Sequence, residues 1–224
     1  MKKHMMIKLT LLGLFFITIV GCNKGPTAEE EIYNVLEDVV KLEDTFKEQQ
    51  NPLVELEQKE KDLYDEIISL SMKDFDQIVE LSNEALSVVD ERKERINSEF
   101  ESIQESKAKF ETVMVNIEKL ENEELKQEAL NLVDLMNNRY SSYDELYSSY
   151  NDAINLDKEL YELFQDEGLD IEVLQGQIDK INESYDKVIA ANEQFNEYTE
   201  NYNQAKITFY KNAGLEVVYE GANE

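Results

Sequence analysis

Apolar side chains recur every three or four positions along most of the chain. Three clear runs are Ile32, Leu36, Val39, Leu42 and Phe46; Ile96, Phe100, Ile103, Phe110, Val113, Ile117 and Leu120; and Ile178, Ile181, Tyr185, Val188, Phe195, Tyr198 and Tyr202. This spacing is typical of an amphipathic helix and is close to a coiled-coil seam. From Leu53 onward, 115 residues pass without Gly or Pro, which excludes folds that need frequent turns. The pattern predicts an all-α protein.

Turn and cap residues divide this predicted helical region into segments of similar length. The marks are Pro52, Ser71 with Asp74, Asn122, Gly168 with Asp170, and Gly214. They predict helices over 28–69, 72–120, 123–166 and 170–212, each 42 to 49 residues long, the first broken near Pro52. Short turns between equal helices predict an elongated antiparallel four-helix bundle with coiled-coil-like packing over 28–214. The alternative is a three-helix body with 28–69 packed on its side.

The two ends of the chain differ from this body. At the start, Lys2, Lys3 and Lys8 precede a 12-residue uncharged stretch that ends at Val20. A transmembrane helix needs roughly 20 apolar residues, so the stretch is too short to span and fits a signal peptide over 1–21. At the other end, residues 215–224 are predicted to be a tail, either a short apolar strand or a loose segment.

The stretch ends in Ile19, Val20, Gly21 and Cys22, which resembles a bacterial lipobox. In proteins with that motif the cysteine thiol receives a diacylglyceryl group, and the chain is then cleaved between the small residue and the cysteine. Gly21 and Cys22 are thus the predicted cleavage site and Cys22 the lipidation site. Residues 22–27 comprise the lipidated Cys22 and a polar tether, Asn23 to Thr27, of about 15 Å if extended. The alternatives are an ordinary secreted protein with an incidental cysteine and a membrane-anchored stub.

The net charge limits the kinds of partner that the protein is expected to bind. The chain carries 22 Lys and Arg against 50 Asp and Glu, a net charge of −28. Removing the leader takes away three lysines and no acid, so the mature chain has 19 − 50 = −31. A body this acidic has no basic field for phosphate backbones, and we expect no nucleic-acid partner.

Catalytic chemistry has few candidate residues. The single histidine, His4, lies in the predicted leader, and Cys22 is the sole cysteine. General acid–base or nucleophilic catalysis usually draws on such groups, so the sequence predicts that the protein is not an enzyme. We expect no catalytic residue, no metal site and no cofactor. Pairs of carboxylates are uninformative here because 50 acids place many pairs at any chosen distance.

The lipobox, the long acidic helices and three stretches of sequence resemble the YkyA-type lipoproteins of low-GC Gram-positive bacteria. The stretches are Glu48-Gln-Gln-Asn-Pro-Leu53, Leu63-Tyr-Asp-Glu-Ile-Ile-Ser-Leu70 and Asn138-Arg-Tyr-Ser-Ser-Tyr-Asp-Glu-Leu146. The resemblance covers essentially the whole chain and implies a cell-wall-binding lipoprotein on the outer face of the cell membrane. It implies no catalytic residues.

Four tyrosines, Tyr140, Tyr143, Tyr147 and Tyr150, share one helix face because they are spaced by three, four and three positions. They have two interpretations: an aromatic strip that stacks on sugar rings or a peptide, or a bundle core whose hydroxyls reach the edge. The core interpretation is favoured.

Two charged groups also have two interpretations each. One group of four acids clusters at a turn: Asp166, Glu167, Asp170 and Glu172. It is interpreted either as a site that binds cations weakly or as a solvated acidic face. The solvated face is favoured because the spacing lacks the pattern of a calcium loop. Arg92, Lys93 and Arg95 form a basic group that we assign to helix support through pairs such as Glu91 with Arg95.

Together these features predict a membrane-anchored extracytoplasmic lipoprotein that binds the peptidoglycan wall or acts as a spacer. The alternative is a helical interaction partner of another envelope or secreted protein. A Gram-positive wall is itself anionic, so a −31 body is repelled within a Debye length of about 8 Å. Wall binding therefore requires bridging by divalent cations, contact with peptide stems, or the aromatic strip.

Overall fold

The computed structural model of the protein describes residues 15–17, 25–215 and 217–219, with side chains over 25–215. In chain order the helices are α1 (Ala28–Leu42), α2 (Asp44–Ser69), α3 (Phe75–Phe110), α4 (Met114–Ile117), α5 (Glu123–Leu163) and α6 (Ile171–Asn212). Short 3₁₀ turns at Met72–Asp74 and Glu111–Val113 precede α3 and α4. The predicted all-α class is confirmed. No helix in the described part of the chain is both long and apolar enough to cross a membrane.

Cap residues begin most of the long helices where the sequence predicted. Asn122 accepts the backbone N–H of Glu124 at 2.9 Å, and Asp170 accepts that of Glu172 at 2.7 Å. Ser71 Oγ donates to the Asp74 carboxylate at 2.9 Å. Asn122 and Asp170 thus each supply an acceptor for a backbone N–H that the first helical turn leaves without one.

The C-terminal end of α6 is closed by Gly214, whose φ of +70° lies in the left-handed region. Its N–H donates to Lys211 O at 3.2 Å, and the next N–H, from Leu215, donates to Tyr210 O at 3.1 Å. This pair of bonds is a Schellman motif, in which glycine is preferred because it has no Cβ to clash. The predicted helix end at Gly214 is confirmed.

The predicted break near Pro52 is wrong, because Pro52 lies inside α2 and the interruption falls at Glu43. In a continuous helix the Phe46 N–H would bond to Leu42 O. Instead Ser102 Oγ stands between them: it donates to Leu42 O at 2.6 Å and accepts from Phe46 N at 3.3 Å. A hydroxyl from α3 therefore opens the helical ladder. Pro52 removes one backbone N–H from the ladder of α2, and the helix continues past it to Ser69.

The described residues form two compact units, and each contains helical segments. The first comprises residues 48–99 and 144–193, two helical hairpins that turn near 70 and 167. In the first hairpin Lys59 pairs with Glu84 at 2.8 Å, as antiparallel neighbours do. The two hairpins contact each other where the Tyr64 and Phe164 rings lie 6.2 Å apart.

The second unit comprises the described residues of 9–47, 100–143 and 194–224. Its core takes Ile32, Leu36 and Val39 from α1, at most 1% exposed, together with Phe195 and Phe209 from α6. Residues 28–47 are therefore part of the core of this unit, which excludes the alternative of a three-helix body with 28–69 on its side. Burying each such side chain contributes about 1.5–3 kcal/mol relative to exposure.

A two-stranded antiparallel ribbon also belongs to the second unit. β1 (Phe15–Ile17) pairs with β2 (Val217–Tyr219), with Phe16 opposite Val218. β1 lies within the predicted leader and β2 within the predicted tail, so cleavage before Cys22 would remove one of the two strands.

Candidate functional site

The predicted cleavage and lipidation site, Gly21 and Cys22, lies outside the described residues. The described body begins close behind them. Thr27 closes a capping box with Glu30: Thr27 N donates to Glu30 Oε2 at 2.9 Å, and Glu30 N donates to Thr27 Oγ1 at 3.3 Å. This box fixes the start of α1 at Ala28, six residues after Cys22.

The four tyrosines of the candidate strip lie mainly in the interior. Tyr140, Tyr143 and Tyr150 are at most 3% exposed, and Tyr147 is half-buried with its hydroxyl on Asn97 at 2.8 Å. The Tyr143 ring packs against Phe195 at 5.3 Å between centroids. Three of the four rings thus have the burial that the core interpretation predicts, and they present no face to a ligand in solution.

Around Arg92 the first unit encloses a centre of ionisable groups that the sequence did not predict. Arg92 is 1% exposed and forms ion pairs with Glu60 and, at 3.2 Å, with Asp157. Its Nη2 also donates to the hydroxyls of Tyr150 and Tyr185, each at 2.9 Å. We call these five residues the Arg92 centre.

The hydroxyls of the two tyrosines in turn donate hydrogen bonds to carboxylates. Tyr150 donates to Glu57 at 2.6 Å, and Tyr185 donates to Asp157 at 2.6 Å. One guanidinium therefore serves three carboxylates, those of Glu57, Glu60 and Asp157. The excess of negative groups in a buried site favours retention of a proton.

The pKa of Asp157 reflects that excess. Burial, and after it the negative charge of Glu60, raises the pKa of Asp157 to about 7, against the opposing effects of Arg92 and Tyr185. Burial alone would lower the pKa of Arg92, but the surrounding Glu60, Tyr150, Tyr185 and Asp157 raise it, so the guanidinium stays charged.

In the second unit Arg139 forms a simpler buried pair. Its two terminal nitrogens donate to the two oxygens of Glu43 at 2.8 and 2.7 Å, and Nε donates to Thr199 Oγ1 at 3.0 Å. Arg139 also lies over the Phe195 ring at 4.8 Å. Both charged residues are fully buried, and this two-pronged geometry is the strong form of the interaction. Glu43 is the residue at the α1–α2 interruption, so the break places its carboxylate in the core.

A third buried cation, Lys206, lies near the C-terminal end of α6. Its Nζ is 3.6 Å from Glu37 Oε1, which also accepts a hydrogen bond from the Tyr210 hydroxyl at 2.8 Å. Burial lowers the pKa of Lys206 to about 8, with Glu37 acting in the opposite direction. With a pKa of about 8, the Lys206 side chain loses its charge close to neutral pH.

All three cations are sealed by packed side chains, with at most 1% of each exposed. A general acid or base must reach a substrate proton within hydrogen-bond distance. These centres lack that access, and their geometry fits internal bracing of the helices.

The surface of the first unit contains a shallow polar groove of about 500 Å³ between α2 and α3. It is lined by amide, hydroxyl, carboxylate and guanidinium groups from Gln49, Ser87, Asp90, Glu91, Glu94, Arg95 and Ser98. Glu91 and Arg95 in this groove form the predicted helix-supporting pair at 3.0 Å.

At the acidic turn, Asp166 accepts the N–H of Gly168 at 2.9 Å and Asp170 caps α6, so two of the four acids have local structural roles. Over the part of the chain that the structure describes, no three acidic, cysteine or histidine side chains come together as a metal-binding group.

Sequence reasoning missed the buried ions because it assigned Arg92 to helix support. A signal was present. Arg92 stands three residues after Val89 and four before Ile96, and Lys206 stands four after Tyr202 and three before Phe209, so both occupy positions of an apolar stripe. Arginine is also rare here, with three among 22 basic residues, and two of the three are buried.

The fold and the lipobox together define a helical lipoprotein class, and comparison with known proteins specifies the family. Residues 27–212 match the YkyA family, described as "Putative cell-wall binding lipoprotein", and the chain belongs to this family. The predicted resemblance is confirmed.

One curated relative is the "Uncharacterized lipoprotein YkyA" of Bacillus subtilis (strain 168), 37% identical over 109 residues. That alignment covers 49% of this chain and 49% of the relative, so it spans about half the length of each. A crystal structure of a conserved protein of unknown function from Staphylococcus aureus has a similar fold, with a TM-score of 0.57 and 14% identity. It covers 83% of this chain and 97% of the other, and it bears on the fold alone.

Proposed function

We propose that this protein is held by a lipid on Cys22 at the outer face of the cell membrane, and that its helical body binds the cell wall or acts as a spacer without catalysing a reaction. The observation that carries the proposal is the family match over 27–212. The match begins at Thr27, the N-cap of α1, so the matched region of this chain starts at the end of the predicted tether.

The anchoring step rests on the lipobox and the short tether. Two acyl chains on Cys22 would hold the protein stably, at about 0.8 kcal/mol per buried methylene, whereas one chain binds marginally. Five residues separate Cys22 from Ala28, so the start of α1 would lie within about 20 Å of the lipid surface.

Substitution of the cysteine tests the anchor. We expect Cys22→Ala to move the protein from the membrane fraction to the medium or to leave the leader uncleaved, and mass spectrometry of the wild-type N-terminal peptide to show a diacylglyceryl group. A Cys22→Ala protein that is still cut before residue 22 and still sediments with membranes would contradict lipid anchoring.

A non-catalytic role is supported by where the groups with shifted pKa lie. Burial raises the pKa of Asp157 to about 7 and lowers that of Lys206 to about 8, and these residues are 5% and 0% exposed. Both are engaged in ion pairs inside the units. Their titration therefore affects folding stability and is remote from any substrate in solution.

Wall binding has to overcome repulsion between two anionic partners, and the polar groove of the first unit offers a way. Its carboxylates and its amide suit the amino and amide groups of wall peptide stems, as three acids face one Arg95 there. Divalent cations held loosely between the acidic body and wall phosphates would assist. Both routes are ionic, so salt and chelators should weaken them.

Sedimentation with purified walls tests this. We expect the mature protein to co-sediment with walls in millimolar Mg²⁺ and to be released at least fivefold by EDTA or by 0.5 M salt. Asp90→Asn with Glu94→Gln, in the groove, should reduce binding. Glu101→Gln with Glu105→Gln removes the same charge from exposed positions of the second unit and serves as the matched control. Binding that ignores salt, chelator and both variants would contradict ionic wall contact.

A second candidate function is that of a helical partner for another envelope or secreted protein. It is favoured by one observation, a group of exposed apolar side chains at one end of the first unit.

A further inference from the structure

The end of the first unit at which its hairpins turn exposes large apolar side chains. Ile68 is 54% exposed and Met72 57%, where α2 passes to α3. Ile171 is 74% exposed and Val173 52%, at the start of α6. We call these four residues the turn-end patch.

Contacts within the unit place both turns at the same end. The Tyr64 and Phe164 rings, near the ends of α2 and α5, are 6.2 Å apart. Gln165 donates to Asn83 at 3.2 Å, which ties the second turn to the beginning of α3. The patch is therefore assembled from two hairpins that are distant in sequence.

The exposure of these side chains is concentrated. Six large apolar side chains are exposed among the described residues, and four of them form the turn-end patch. The other two, Met114 and Val115, lie in the second unit. Isolated exposed apolar residues are ordinary, whereas a group at one end marks an interaction surface.

The same end is strongly acidic. Residues 65–76 and 162–173 carry nine Asp and Glu against one lysine, a net charge of −8. Some of these acids have local structural roles: Asp74 and Asp170 bond within the starts of helices, and Asp166 bonds within the turn before α6. Glu167 and Glu172 are exposed beside the patch, and their negative charge is available to a partner.

From this combination we propose that the turn-end patch binds a cationic amphipathic polypeptide segment, such as a lysine-rich helix of another extracytoplasmic protein. Apolar side chains of the segment would cover Ile68, Met72, Ile171 and Val173, while its basic side chains face the acidic rim. An anionic lipid surface matches the apolar residues but is repelled by the rim. The proposal is independent of wall binding.

The test uses the full-length mature lipoprotein in nanodiscs and an 18-residue amphipathic helical peptide of leucine and lysine. The patch variant carries Ile68→Ser, Met72→Ser, Ile171→Ser and Val173→Ser. Serine leaves the net charge unchanged, so a loss of affinity cannot arise from weaker bulk attraction. We expect the peptide to bind the wild type and the patch variant to bind it at least tenfold more weakly.

Three controls make the result decisive. Met114→Ser with Val115→Ser removes exposed apolar groups of the second unit and should leave affinity within twofold of the wild type. Glu167→Gln with Glu172→Gln should weaken binding severalfold without removing it. A leucine–glutamate peptide of the same pattern should not bind. Circular dichroism confirms that each variant is folded, which the exposed positions lead us to expect.

Several outcomes would overturn the proposal. They are no binding of the leucine–lysine peptide by the wild type, equal binding by the patch variant, or equal binding of the leucine–glutamate peptide. Patch-dependent binding to added anionic vesicles without binding to the peptide would assign the surface to lipid instead.

Discussion

Arg92 and Arg95 lie three positions apart on α3 and have different environments. Arg92 is 1% exposed within the Arg92 centre, whereas the Arg95 side chain is 33% exposed and pairs with Glu91 across one helical turn. The charge pattern of the sequence suits helix support for both residues. Their positions on the apolar stripe differ, and that difference decides which of them is buried.

Replacing each arginine by methionine should separate these roles. We expect Arg92→Met to lower the free energy of unfolding by about 3–5 kcal/mol, because it leaves Glu60 and Asp157 buried without their cation. Arg95→Met should cost less than about 1 kcal/mol, since it removes a partly exposed pair. Urea unfolding followed by circular dichroism measures both; equal costs would contradict the structural role of the Arg92 centre.

The raised pKa of Asp157 predicts how stability depends on pH. The folded state holds a proton up to about pH 7, whereas an unfolded aspartate loses it near pH 4. Between these values the folded state binds more protons, so the free energy of unfolding should fall as pH rises from about 4 to 7. The contribution is about 2–4 kcal/mol, and above pH 7 the loss is complete.

Protonation of carboxylates at low pH also reduces the net negative charge, which stabilises so acidic a chain. A matched pair of variants separates this general effect from the titration of Asp157. Asp157→Asn should flatten the pH dependence, whereas Asp152→Asn, at an exposed position of the same helix, should keep the wild-type slope. Parallel profiles for the wild type and Asp157→Asn would show that Asp157 does not titrate in this range.

At the scale of elements, periodicity predicted the helices well and their interruption poorly. Stripe residues such as Ile96, Ile103 and Phe195 are buried as expected, because a 3.6-residue period identifies the inner face of a helix. The prediction of a break near Pro52 was wrong because it relied on a local residue, the proline itself. The actual break at Glu43 is caused by the hydroxyl of Ser102, about 60 residues away in the sequence. No local pattern contains that contact.

Removing that hydroxyl tests the cause of the break. We expect Ser102→Ala to lower the free energy of unfolding by about 1–3 kcal/mol, because Leu42 O and Phe46 N–H both lose their bridging partner. Ser98→Ala, on the same helix, removes a hydroxyl that bonds only to Glu94 O of its own helix and should cost less than about 0.5 kcal/mol.

Hydrogen exchange gives a second measurement for the same substitution. The Phe46 amide should exchange faster in Ser102→Ala than in the wild type, because it loses the Ser102 Oγ acceptor. A Phe46 amide that becomes better protected, together with unchanged stability, would mean that α1 and α2 join into one helix once the hydroxyl is removed.

At the scale of the whole molecule, composition, periodicity and the lipobox were sufficient to predict an all-α acidic lipoprotein, and the family match agrees. They placed Arg92 and Lys206 on an apolar stripe but could not show which carboxylates these two cations meet, because a period marks a face without revealing its neighbours. Nor could they show the turn-end patch, since its members come from residues 68–72 and 171–173 and meet only through the fold.

Contact with the wall in living cells tests the central claim most directly. A photo-reactive amino acid placed at Ser87, in the polar groove, would be activated in intact cells, with Glu101 of the second unit as the comparison site. After wall digestion, mass spectrometry identifies what is attached. The proposed function predicts wall fragments bearing peptide stems attached at Ser87 and fewer at Glu101. Attachment of proteins alone at both sites, with no wall fragment, would contradict wall binding.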